Sequence, residues 1–95
     1  MIVLKNKEYK FKFGFKAILN YENETGKKVS DLADGLSMQT VVDLCFYAIK
    51  AAGDKITKDE IIDAIDDDMT LISTISDMIS TDMAAMNVLQ EEAKK

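Results

Sequence analysis

Between Tyr9 and Phe15 the chain places an aromatic side chain at every second residue: Tyr9, Phe11, Phe13 and Phe15, with Lys10, Lys12 and Gly14 between them. From Phe15 the spacing becomes helical, through Ile18 and Leu19, and a polar run follows to Thr25-Gly26. A period of two belongs to extended backbone and a period near 3.6 to a helix. A strand therefore feeds straight into a helix, and three of the four phenylalanines lie in that join.

The segment before the join completes a hairpin. Ile2 to Lys5 reads as a short strand and Asn6-Lys7 as its turn, because Asn tolerates the left-handed conformation that tight hairpins need. A two-residue loop there pairs Lys5 with Glu8, Leu4 with Tyr9, Val3 with Lys10 and Ile2 with Phe11. Ile2, Leu4, Tyr9, Phe11 and Phe13 then share one face, and Lys5, Glu8, Lys10 and Lys12 the other. A slip of one residue would invert this division. Two strands are not stable alone, so the aromatic face needs a bed of helices.

Helix signals follow in order. The first helix runs from about 15 to 25 with Gly26 as its left-handed terminator. Ser30-Asp31-Leu32 can start one further turn, closed by Gly35. Ser37 caps a second helix over about 37–52, apolar at Val41, Val42, Leu44, Cys45, Ala48 and Ile49, which marks it as the central core element. Gly53 ends it. Thr57-Lys58-Asp59-Glu60 is a capping box opening a helix over about 58–66, with Ile61, Ile62, Ile65 and Met69 as its apolar side. Asp66-Asp67-Asp68 breaks the pattern, and a last helix over about 69–92 carries Ile72, Ile75, Ile79, Met83 and Met86 on one stripe. The expected fold is mainly α (α+β): a single domain over 1–95, with a two-stranded hairpin at about 2–13 packed on a bundle of about four helices.

Composition excludes several classes. Apolar residues make up 47% and charged residues 31%, a globular balance, and no apolar run approaches membrane-spanning length. The N-terminus MIVLKNKEYK lacks the order of a signal peptide, which places the chain in the cytosol. Residues 1–50 hold eight lysines and six acids, whereas residues 51–95 hold four lysines and eleven acids. This asymmetry serves solubility and internal charge complementarity, or it draws the two ends toward opposite surfaces on a partner or a second copy. Net acidity and the absence of arginine argue against nucleic-acid binding.

No reacting constellation is present. The chain has no histidine and one cysteine, Cys45, inside an apolar helical pattern. The usual general base, the His-activated nucleophiles and thiolate metal clusters are thereby removed. Gly26-Lys27 ends a helix, whereas a phosphate loop precedes one. A calcium loop starting at Asp66 would use Asp68, Thr70, Ile72, Thr74 and Asp77, but Leu71 stands where glycine is required. Neither Ser30 nor Ser76 presents the attachment site of an acyl carrier protein. No enzyme, cofactor or metal is expected. Among the methionines, Met78, Met83 and Met86 of the last helix are candidate partner-binding residues, since flexible polarizable side chains suit adaptable surfaces. Ordinary core filling fits the spacing of Met83 and Met86 as well.

Lys12-Phe13-Gly14-Phe15-Lys16-Ala17, then Tyr21-Glu22-Asn23-Glu24-Thr25-Gly26-Lys27, then Asp31-Leu32, resembles the tail assembly chaperones of long-tailed bacteriophages, especially those of Gram-positive hosts. The resemblance spans the chain in layout and residues 6–32 in motif. It implies a non-enzymatic protein of the host bacterial cytoplasm, absent from the mature virion. Its implied partners are the tape measure protein and the tail tube protein, with no nucleic acid and no membrane. The resemblance also implies a longer frameshifted form of the chain, for which the codons of Lys94-Lys95 could supply a slippery sequence. The unpaired hairpin edge leaves a homo-oligomer open. The alternative is a small acidic regulatory or inhibitory protein that binds a basic surface of a host or phage protein.

Overall fold

A computed structural model describes residues 1–30 and 36–86. It is a mainly α fold with an N-terminal hairpin laid on a helical bundle. Strands β1 (Ile2–Leu4) and β2 (Lys7–Tyr9) pair antiparallel, followed by α1 (Phe15–Thr25), α2 (Met38–Ala51), α3 (Lys58–Asp67) and α4 (Leu71–Met86). The end of the expected Ser30–Gly35 turn, and the continuation of α4 toward residue 92, lie outside the described residues. No helix among them is long and apolar enough to cross a membrane.

The hairpin differs from the expected one in register. Ile2 pairs with Tyr9, Val3 with Glu8 and Leu4 with Lys7, so the turn is Lys5-Asn6 and the strands end at Tyr9. Both turn residues have positive φ, 51° and 67°, as a type I′ connection requires, and Asn6 takes the second central position. Side chains alternate with period two, so a register shifted by two residues leaves the same faces in place. Ile2, Leu4 and Tyr9 are accordingly buried, while Val3 and Glu8 face outward.

Beyond Tyr9 the chain stays extended without joining the sheet, and its amides turn to the helices. The Lys10 amide donates to Asp54 Oδ2 (3.0 Å), the Lys12 amide to the Ala48 carbonyl (3.2 Å) and the Phe13 amide to Asp82 Oδ2 (2.9 Å). Phe13 is wholly buried and Phe11 half-buried. The join is thereby tied to the end of α2 and, across most of the sequence, to α4.

Helix boundaries follow the capping chemistry. Gly26 takes φ 72° and donates to the Glu22 carbonyl, closing α1. Ser37 Oγ accepts from the Thr40 amide at the start of α2, and Thr57 and Glu60 form a complete capping box at α3. Asp68 adopts an extended conformation, and its Oδ1 accepts from the amide (3.1 Å) and hydroxyl (2.6 Å) of Thr70, so α3 and α4 are separate helices. Helix α2 is central, packing against α1, α3 and α4. Val41, Leu44, Cys45, Ala48 and Ile49 of α2 meet Ala17, Ile18 and Tyr21 of α1, Ile61 and Ala64 of α3, and Ile75, Ile79 and Met83 of α4 in one core.

Several expected apolar positions, Met69 among them, are not buried. In α1 the inward side is Ala17, Ile18 and Tyr21, leaving Phe15 71% and Leu19 44% exposed. In α3 it is Ile61 and Ala64, leaving Ile62 45% exposed. Both helices carry an apolar stripe wider than the core can cover, and the sequence pattern does not say which edge is left out.

Truncating Phe13 to Ala should cost about 3–5 kcal/mol, as for other buried aromatics. Asp82→Ala should cost about 1–3 kcal/mol by leaving the part-buried Phe13 amide without its acceptor. Phe15→Ala should stay within about 0.5 kcal/mol, as at other exposed sites. Urea unfolding midpoints of the three variants check this ordering.

Candidate functional site

Cys45 and a set of polar groups between the helices are engaged in holding the fold. Cys45 is buried, and burial pushes its thiol up to about 12, so it stays protonated and inert. The polar groups between α1, α2 and α3 form one chain of contacts. Tyr47 donates its hydroxyl to Glu24 Oε1 (3.3 Å), and Lys50 lies 3.9 Å from the other oxygen of Glu24. Lys58 pairs with Asp43 Oδ1 (3.1 Å), which also accepts from Gln39 Nε2 (3.0 Å). The Lys58 ammonium stands 5.4 Å from the ring centres of both Phe46 and Tyr47. Partial burial works to lower the Lys58 pKa, but the hydrogen bond and charge of Asp43 outweigh it and the net shift is upward. Tyr47 is raised chiefly by burial. Asp43 is a buried carboxylate held by Lys58 and Gln39. Among the described residues, no group of three or more His, Cys, Asp or Glu is placed to hold a metal ion.

The candidate methionines separate. Met83 is 7% exposed and belongs to the core with Ile75 and Ile79. Met78 is half-buried and borders a shallow hollow with Met1, Phe11 and Thr81, edged by Asp77 and Asp82. Met86 ends α4, and its side chain lies outside the described part.

The larger apolar surface lies where α2, α3 and the start of α4 meet. An open groove of about 330 Å³ is lined by Met38, Gln39 and Val42 of α2, Ile62, Ile65 and Asp66 of α3, Met69 of the α3–α4 turn and Ile72 of α4. Val42, Ile65 and Ile72 form its buried or half-buried floor. Met38, Ile62 and Met69 stand on its walls, exposed by 63%, 45% and 59%. Asp68 is extended and ends α3, and Met69 follows it outside the helix at the rim of the groove. Met69 is expected on the apolar side of α3 and is exposed instead, whereas Met38 is not singled out by the sequence. The usable signal was the excess apolar width of α3, where Ile61 and Ile62 cannot both face the core.

A second exposed apolar pair, Phe15 and Leu19, lies one turn apart on α1. It is flanked by Lys16. Small clusters of this kind are common on soluble proteins, whereas a concave apolar surface with its floor in the core is the usual form of a binding site.

No protein-family model, curated protein or solved structure matches this chain.

Two measurements test the reading of the polar cluster. Cys45 should resist thiol reagents in the native protein at pH 8 and react at the rate of a free thiol once unfolded. Tyr47 and Lys58 are both raised in the fold, so their contribution is complete below their ordinary values of 10.0 and 10.5 and is lost as pH rises through the raised ones. Stability from this cluster should hold from pH 7 to 9 and fall above pH 10. Lys58→Met should cost about 1–3 kcal/mol at pH 7, by leaving Asp43 with Gln39 alone, and should remove Lys58's share of the alkaline fall while the share of Tyr47, which comes chiefly from burial, persists.

Proposed function

We propose that this chain is a non-enzymatic tail assembly chaperone of a long-tailed phage or prophage. It binds the tape measure protein and helps recruit tail tube subunits in the host bacterial cytoplasm, and it does not enter the mature virion. The observation that carries this reading is the α2–α3–α4 groove, an apolar surface on an acidic body. A long helical protein awaiting its tube has apolar helix faces to shield, and a groove walled by Met38, Ile62 and Met69 suits that task because methionine adapts to varied surfaces. The motif of residues 12–32 supports the family, and the hairpin-on-helices layout agrees with it.

The reading of an acidic inhibitor is favoured by one observation, the exposed aspartates of α3. An inhibitor of a basic surface would place charge at the centre of its contact, whereas here the aspartates border an apolar centre.

Co-expression tests the proposal. The tape measure protein encoded beside this chain should remain in the soluble fraction with this protein present and precipitate without it. Equal solubility in both cases would remove the chaperone function.

A further inference from the structure

We propose that the segment seated in the α2–α3–α4 groove is an amphipathic helix whose apolar stripe is flanked on one side by lysine or arginine. This rests on the reading of the chain as a chaperone for helical proteins and adds the charge and orientation of the bound segment. The apolar part of the argument is the lining itself, with Met38, Ile62 and Met69 exposed above Ile65 and Ile72. Helix α3, which forms one wall, has 10 residues. Such a wall spans about 15 Å, which matches about three turns of a bound helix, with anchors at i, i+3 or i+4, and i+7.

The charge part comes from α3. Asp59 and Asp66 are seven residues apart, on the same side of α3 next to Ile62, and Asp66 lines the groove, whereas Asp63 lines the neighbouring hollow with Lys5 and Lys7 of the hairpin. All three are exposed, and none has a hydrogen-bond or ion-pair partner among the described residues. The neighbouring acids are engaged: Glu60 in the capping box, Asp67 with Lys5, Asp68 with Thr70 and Asp43 with Lys58. Of the other described carboxylates without a partner, Glu8 and Asp77 stand apart from this edge. The opposite wall, Met38 and Gln39, carries no charge. A helix with cations on both flanks would therefore satisfy only one flank, and one with acids beside α3 would be rejected. The complementarity sets both the partner's charge and its direction of approach.

Two fluorescent 18-residue peptides test this. Each carries a leucine stripe on an alanine background, one with a lysine flank and the other with a glutamate flank. Fluorescence anisotropy with the full chain should give about tenfold tighter binding for the lysine peptide. Asp59→Asn with Asp66→Asn should erase most of that difference and its salt dependence while leaving thermal stability unchanged. Ile62→Lys should weaken both peptides about tenfold, with the fold intact by circular dichroism. Equal affinity for the two peptides, or indifference to Ile62→Lys, would overturn the proposal. So would self-association abolished by Ile62→Lys in the absence of peptide binding, which would assign the groove to a second copy of the chain. The two levels of the account separate. Tape measure protein kept soluble by the Ile62→Lys variant leaves the chaperone standing and removes the groove. Selective lysine-peptide binding without any effect on tape measure solubility leaves the groove standing and removes the chaperone.

Discussion

The arrangement depends on how the extended residues after the hairpin are held. A strand that leaves its sheet must find other acceptors for its amides or lose the advantage of burying its side chains. Here Lys12 finds the Ala48 carbonyl of α2 and Phe13 finds the Asp82 carboxylate of α4, while the Phe13 ring fills the core between them. One short segment thus fixes the hairpin, the start of α1 and the lie of α4 over α2. Because α4 is held from this end, its opposite end must reach α3 through the tight turn at Asp68–Thr70. That turn is what leaves Met69 and Ile62 uncovered.

Much of this was legible, for identifiable reasons. Caps are local chemistry, so Gly26, Ser37 and the Thr57–Glu60 box mark the helix ends in sequence and in structure alike. The Tyr21–Lys27 motif has a physical account. Tyr21 is buried and packs edge-on against Tyr47, with ring centres 6.2 Å apart, and Glu22 accepts from the Val29 amide. Glu24 accepts from the Tyr47 hydroxyl, and the Thr25 hydroxyl bonds to the Tyr21 carbonyl and the Lys27 amide. The motif is a helix stop and loop anchor. Gly14 has no such account, since a Cβ there would meet only the Lys12 side chain at 3.4 Å.

What was not legible is equally physical. Face alternation cannot separate two registers that differ by two residues, so the turn was expected one position late. Apolar periodicity finds a stripe but not its burial. Ile61 and Ile62 are indistinguishable by composition, yet one is wholly buried and the other forms a groove wall, a difference set by where α4 lies. Methionine is dense in sequence at Met78, Met83 and Met86, of which Met83 is buried and Met78 half-buried. The exposed pair, Met38 and Met69, is far apart in sequence and meets only across helices.

Methionine itself offers the most direct test of the account. With the side-chain methyl groups labelled with carbon-13, the resonances can be followed as the soluble tape measure protein complex forms. Met38 and Met69, on opposite walls of the groove, should shift or broaden on binding, while the buried Met83 and the exposed Met1 outside the groove should keep their positions. Shifts confined to Met1 and Met78, with Met38 and Met69 unchanged, would place the contact on the hairpin side of α4 and contradict the account.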